Sequence, residues 1–383
     1  MESVPKKRKI EGRCSRQPIP DELISEVLVR LPVKSLLRFR CVSRTWRSLI
    51  SDPHLIESHH RRSQQHPLAL VREWNLNGDN KGKATYVPTR GATLQRIYYD
   101  VAGFNSISDM AVRVFSSSPD LICIREDGSR CSLLNPATRE RVTLPEFSSG
   151  NTTFLRYVGF GYVPSLRKFK VARVFGHVDI DRGSGRQAVE ERCAVLTVGV
   201  DRSWRPARGP PPFMITRDQM AFVNGALHMT PSTEEGKGLA ALDLETEAWR
   251  VIPMPRGVCG KISIGTYNTV SLREQRGLLF LDHLLGAGKV EVWALKDYEK
   301  GGWEMEHRID LGRPQIPEEF GRFLPVLIGE DGRILMYIDW TAYLWYDPRD
   351  QKFVPFSPHG KSLVWPLPPL VHVENYLPLN GWD

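Results

Sequence analysis

The chain has 383 residues, with 25% charged and 41% apolar residues. That composition fits a globular protein of one large domain plus a small one, or of two to three domains, and no apolar run approaches the ~18 residues of a membrane span. The net charge is +8, but residues 1–62 hold 14 Lys plus Arg against 7 Asp plus Glu, so the remaining 321 residues carry only +1 and a nucleic-acid surface there is poorly supported.

Residues 1–15 read as a basic, disordered tail, with no apolar core that would make a secretory signal. Within it Pro5, Lys6, Lys7, Arg8 and Lys9 place four cations on a Pro-led extended backbone. This run resembles a monopartite nuclear localisation signal read by an importin, which implies a nuclear and also a cytoplasmic protein. The plain alternative is solvated charge.

Residues 16–62 are helical. Leu23, Ile24, Val27, Leu28 and Leu31 fall at helical spacing. Asp21 and Glu22 suit the first turn, Arg30 the last, and Pro32 stops the helix. A second short helix carries Leu36, Leu37 and Phe39. Ser43 can cap a third with Trp46, Leu49 and Ile50 on one face, and Asp52-Pro53 starts one further turn with Leu55 and Ile56. So much apolar surface on so few residues asks for a partner. The ordered run of Ile19-Pro20, Val27-Leu28, Leu31-Pro32, 36–43 and 46–50 resembles the F-box. That resemblance implies docking to a Skp-type adaptor and, through it, a cullin–RING ubiquitin ligase, with Ile19, Pro20, Ile24, Val27, Leu28, Leu31, Pro32, Leu36, Val42 and Trp46 at the adaptor interface. The alternative is a bundle edge buried against the rest of the chain. His54, His59, His60 and His66 cluster in sequence, but without Cys or carboxylate partners at ligand spacing they read as part of a polar linker and not a metal site.

Residues 63–383 read as all-β. Alternating strands are predicted at 68–71, 84–87, 95–99, 121–124, 131–134, 170–175, 194–198, 225–229, 239–242, 278–281, 290–294, 334–338 and 342–346, separated by turn pairs such as Asp127-Gly128, Asn224-Gly225 and Asp331-Gly332. A weak repeat of roughly fifty residues is most regular in the links NPATRE (135–140), DLETE (243–247) and YDPRDQ (346–351). Such a repeat marks a propeller of the kelch type with room for about six four-stranded blades, closed by pairing a strand near 68–71 with one near 370–376. Asn135-Pro136-Ala137-Thr138-Arg139, Val158-Gly159-Phe160-Gly161-Tyr162, Asn224-Gly225-Ala226-Leu227-His228 and Val290-Glu291-Val292-Trp293 resemble the F-box-associated domain of plant F-box proteins. Residues 116–120 depart from it, with Ser-Ser-Ser-Pro-Asp in place of an Asn-Gly-Leu turn.

No P-loop or nucleophile elbow occurs, and no cofactor is implied. His228, His283 and His307 lie in separate predicted blades and read as core or rim residues. Trp204, Trp249, Trp293, Trp303 and Trp345 read as inter-blade packing. The loops 181–192 and 202–213 display Arg182, Arg186, Arg205 and Arg208, a candidate surface for an acidic or phosphorylated target segment. The six cysteines (14, 41, 123, 131, 193, 259) form no C-x-x-C pair and read as reduced thiols. The favoured function is a non-catalytic substrate receptor of an SCF-type ubiquitin ligase, with the F-box on the adaptor and the propeller on a target protein marked for degradation. The alternative is a kelch-like scaffold or enzyme whose helical head only packs on the propeller.

Overall fold

The computed structural model describes residues 19–75, 82–88, 95–97, 114–115, 118–125, 130–147, 153–180, 187–215, 220–232, 238–258, 269–285, 288–312, 323–338, 342–356 and 364–379. The tail with Lys6, Lys7, Arg8 and Lys9, and the candidates Arg182 and Arg186, lie outside the described residues.

The head is four helices: α1 (Asp21–Leu28), α2 (Val33–Phe39), α3 (Arg44–Ile50) and α4 (Pro53–Gln64). Pro20 and Pro32 are the N-cap residues of α1 and α2. Ser43 caps α3 by accepting a 3.0 Å bond from the Trp46 N–H, and Asp52 caps α4 by accepting a 2.7 Å bond from the His54 N–H. Leu28, Val33, Leu36, Ile50 and Leu55 form the head's core, joined by Tyr376 from the far end of the chain. The expected single turn after Pro53 is instead twelve residues long. Its histidines are not a linker: Leu55 and His59, four apart, bury one stripe of α4 and so carry the helix to Gln64.

Among the described residues, the strands after the head form six four-stranded antiparallel sheets. Blade 1 joins β1 (Leu68–Asn75), β2 (Gly82–Pro88) and β3 (Gln95–Ile97) to the C-terminal β24 (Val364–His372). The other five use consecutive strands. Blade 2 is β4–β7 (Val114–Phe115, Ile122–Arg125, Cys131–Leu134, Arg141–Thr143). Blade 3 is β8–β11 (Thr153–Val163, Lys168–Ile180, Gln187–Thr197, Arg205–Pro206). Blade 4 is β12–β15 (Ala221–Val223, Ala226–Met229, Gly238–Asp243, Trp249–Pro253). Blade 5 is β16–β19 (Thr269–Gln275, Leu278–Leu285, Lys289–Asp297, Gly302–Asp310). Blade 6 is β20–β23 (Phe323–Ile328, Ile334–Ile338, Ala342–Asp347, Lys352–Phe356).

Apolar clusters fill the spaces between successive blades: 2 with 3, 3 with 4, 4 with 5, 5 with 6, and 6 with the Ala69 edge of blade 1. The first strands β8, β12, β16, β20 and β24 touch their neighbours in series, which places them around the axis. β24 pairs with β1 from Leu68↔His372 to Asn75↔Val364, so the last strand closes the ring beside the first and leaves β1 no free edge. Gly161 in β8 shows how tightly these strands approach: a Cβ there would lie 2.2 Å from the Phe222 ring.

The sequence repeat has a physical basis in the turn between the third and fourth strands. In blades 2, 4 and 6 the N–H of Arg139, Glu247 or Gln351 donates to the carbonyl of Asn135, Asp243 or Asp347, each at 2.8 Å. The side chain of that first residue accepts a second backbone N–H from within the turn. Arg139, Glu247 and Gln351 all take positive φ (65°, 60° and 57°). Blade 5 uses Asp297 and Gly301 (φ 67°) at the same places. An Asx residue and a left-handed residue four positions on thus define the recurring link.

Of the long loop expected at 181–192, residues 187–192 are strand, and 181–186 lie outside the described residues. β9 and β10 extend to Ile180 and from Gln187, pairing in unbroken register over eleven positions.

Candidate functional site

The head presents one face to solvent and another to the ring. On the solvent face Ile19 (65% exposed), Leu23 (57%), Val27 (57%) and Val42 (61%) are open apolar side chains. Pro20 and Pro32 are exposed beside them, and Ile24, Leu31 and Trp46 are half-buried. Two of the expected interface residues have another role: Leu28 and Leu36 are fully buried in the head's own core and have no surface to offer a partner. The helical stripe is simply wider than one face, and its inner edge folds the head while its outer edge stays open. Leu23 was passed over as an interface residue, although its spacing with Ile19 and Val27 is the signal that finds it.

Charge along the head is segregated: α1 carries the exposed Asp21, Glu22 and Glu26, and cations follow it. From Val27 to Ser51 the chain has Arg30, Lys34, Arg38, Arg40, Arg44 and Arg47 and no Asp or Glu. Arg30 pairs with Glu26 one turn earlier. Lys34, Arg38, Arg40, Arg44 and Arg47 are exposed. The cationic part of the head, α2 and α3, suits acidic groups on a partner.

The other face of the head meets the end of the ring where first strands turn into second strands. His60 in α4 bonds through Nε2 to Asp120 Oδ1 at 2.5 Å, and Ser118 Oγ donates to Asp120 Oδ2 at 3.0 Å. Both lie in the 116–120 segment that departs from the expected turn. Burial opposes the charge on His60, but the Asp120 carboxylate and its hydrogen bond outweigh it and raise the imidazole above its ordinary pKa. Asp120 is likewise buried, yet His60 and the Ser118 bond hold it below its ordinary value. Glu274 at the end of β16 senses both charges, and burial pushes its carboxyl up to about 7. His66 bonds Glu330 of blade 6 at 2.7 Å, and His60 meets Tyr162 of blade 3 edge-on. Helix α4 therefore reaches blades 2 and 3, and His66 just past its end reaches blade 6, so this segment lies across one mouth of the ring.

His228 and three of the tryptophans bond within the ring itself. His228 is buried, bonded to the Ala221 carbonyl and to Tyr298 Oη at 2.6 Å, and burial lowers its pKa to about 4. Trp204, Trp249 and Trp303 each donate Nε1–H to a carbonyl of the preceding blade, Pro145, Gly209 and Pro253 respectively, at 2.7–3.0 Å. Arg205, expected to meet a target, is already engaged. Glu247 accepts two 2.5 Å bonds from it and a 2.7 Å bond from Lys170, and these bonds pull the Glu247 carboxyl down to about 2. The trio ties blade 3 to the third-to-fourth-strand turn of blade 4. Arg208 is exposed. Among the described residues no group of three or more His, Cys, Asp or Glu is placed to hold a metal.

A four-helix head with an open apolar face, docked on an all-β ring, defines a two-part binding protein. The comparisons with known proteins agree with the geometry. The family model described as the F-box associated beta propeller domain matches residues 95–349, and the F-box domain model matches residues 18–58. The chain belongs to the F-box associated beta propeller family and carries an N-terminal F-box. Among curated proteins it is 26% identical to F-box protein At3g07870 of Arabidopsis thaliana, over 90% of this chain and 88% of that one. It is 29% identical to F-box protein At5g49610 of the same plant, over 76% and 79%.

Proposed function

We propose that this protein is the substrate-receptor subunit of an SCF-type cullin–RING ubiquitin ligase, with no chemistry of its own. The observation that carries the reading is the unfilled apolar face of the F-box. Ile19, Leu23, Val27 and Val42 stand open on a head whose core is already complete, and solvent exposure of four large apolar side chains in one small domain marks a docking surface. A Skp-type adaptor with an acidic rim fits that face and the cations of α2 and α3.

The ring then captures the target protein. Helix α4 and the head occupy the mouth formed by the first-to-second-strand turns, so target capture falls to the opposite mouth or the rim. Arg208 remains a candidate contact for an acidic segment; Arg205 does not, because its guanidinium is bound to Glu247. Lys6, Lys7, Arg8 and Lys9 direct the complex to the nucleus through an importin. Replacing all four with Ala should move a tagged protein to the cytoplasm, and an unchanged distribution would refute that assignment.

The receptor reading is tested by proximity labelling under proteasome inhibition, comparing the wild-type chain with Leu23→Glu/Val27→Glu. The adaptor, the cullin and a set of ubiquitinated proteins should be labelled by the wild type. The variant should lose the adaptor and cullin while retaining the target in unmodified form. Equal labelling of adaptor and cullin by both proteins would contradict it.

A further inference from the structure

The chain does not stop at ring closure. After β24 ends at His372, residues 373–379 run between the head and blade 2, and their side chains alternate. Glu374 and Tyr376 face the head. Glu374 Oε1 accepts the backbone N–H of Val33 at the start of α2 (3.1 Å), while Tyr376 joins the head's core and meets the His59 ring edge-on at 5.2 Å.

Asn375, Leu377 and Leu379 face the ring. Leu377 and Leu379 are part of the cluster between blades 2 and 3. Asn375 is fully buried: its Nδ2 donates to the Asp120 carbonyl at 2.7 Å, and its Oδ1 accepts from the Leu377 N–H and from Asn135 Nδ2. The same Asp120 that Asn375 fastens through its carbonyl holds His60 through its carboxylate. An extended chain sends successive side chains to opposite sides, so one short segment adheres to both bodies at once.

We propose that residues 373–379 are a two-sided strap that sets the orientation of the adaptor-binding helices relative to the target-binding ring, with Glu374 and Tyr376 as its positioning residues. The consequence for ubiquitin transfer rests on the receptor reading above; the orientation itself does not. In a receptor without catalytic groups, the distance and angle between the two bound partners are what the subunit contributes to the reaction.

The test is a distance measurement within the full-length chain. Spin labels are placed at Ser48→Cys on α3 and Lys300→Cys on the exposed turn of blade 5, with Cys14, Cys41 and Cys259 changed to Ser. The wild-type strap should give one narrow distance. Glu374→Ala/Tyr376→Ala should give a broad distribution and faster amide exchange in α2 and α4, with the ring's melting transition and the affinity for purified adaptor unchanged. Leu377→Ala/Leu379→Ala should do the reverse, lowering the ring's transition. A narrow, wild-type distance in the Glu374→Ala/Tyr376→Ala protein would overturn the proposal. If that variant loses the head's helical signal while the ring melts as before, the strap is still what holds the head, and Glu374→Ala alone then reads orientation with the head's core intact. Failure of the wild-type chain to bind adaptor would count against the receptor reading and leave the distance result standing.

Discussion

Glu274 shows how one buried group ties the protein's stability to pH. Its carboxyl lies at the end of β16, with Oε1 accepting the Gly277 N–H at 2.8 Å, and burial raises its pKa from an ordinary 4.5 to about 7. A carboxyl raised on folding binds its proton more tightly in the native state, so its contribution is fully present below about pH 4.5 and is lost as pH rises through about 7. His60 acts in the same sense, because its pKa is also raised: its contribution is fully present below its ordinary 6.5 and is lost as pH rises through its folded value. His228 and His372, both lowered to about 4 by burial, act in the opposite sense, losing stability as pH falls through that value. Glu274→Gln keeps the acceptor for Gly277 and removes only the titration. Denaturant melts at pH 5 and pH 8 should therefore show the variant gaining on the wild type at the higher pH, by on the order of a few kcal/mol. A constant difference between the two proteins would contradict the assignment. Nothing in the sequence pointed to Glu274, because its perturbation comes first from burial, which depends on how distant parts of the chain pack around the end of β16.

At the scale of elements, the strands that sequence reasoning found and missed sort by position in the blade. In blades 2 to 6 the second and third strands were legible, while the first and fourth were not. The inner pair is flanked by sheet on both edges and packed on both faces; β13, β14 and β21 read as near-continuous apolar runs for that reason. Fourth strands alternate weakly and keep exposed positions such as Val251, Met305 and Val354. First strands such as β4 and β12 are two or three residues long, too short for a period to show. The tryptophans, in contrast, were readable as packing residues, and the structure adds the bond that fixes them. Trp249→Phe would leave the Gly209 carbonyl without its indole donor. Its cost should be about 0.5–1.5 kcal/mol, the usual worth of one hydrogen bond, seen as a lower denaturation midpoint with an unchanged slope. No shift in midpoint would mean that the bond contributes nothing.

For the whole molecule, the first and last strands of the ring meet in blade 1, and residues 373–379 then continue under the head. Ring closure between the strands near 68 and 370 was foreseeable, because an open ring would expose an unpaired edge. The head's attachment was not, since it depends on pairs far apart in sequence, 60 positions for His60 with Asp120 and 341 for Val33 with Glu374. A chain ending at residue 363 lacks β24 and leaves one edge of β1 unpaired. It should aggregate and show no cooperative transition, whereas a soluble, cooperatively melting product would contradict closure by β24. The same scale revises what a test of the F-box must look like. A charge at Leu28 would break the head's core and abolish binding whether or not the head is an interface.

The most direct measurement is a titration of purified Skp-type adaptor against the full-length chain and its Leu23→Glu/Val27→Glu variant, with melting followed in parallel. Burying one such side chain in an interface is worth about 1.5–3 kcal/mol. Loss of two, with charges in their place, should weaken binding by at least about two decades while the helical signal and melting transition stay at wild-type values. Leu28→Ala should instead lower the head's stability by about 2–5 kcal/mol. If the folded Leu23→Glu/Val27→Glu protein binds the adaptor as tightly as the wild type, the open apolar face of the head is not the adaptor interface.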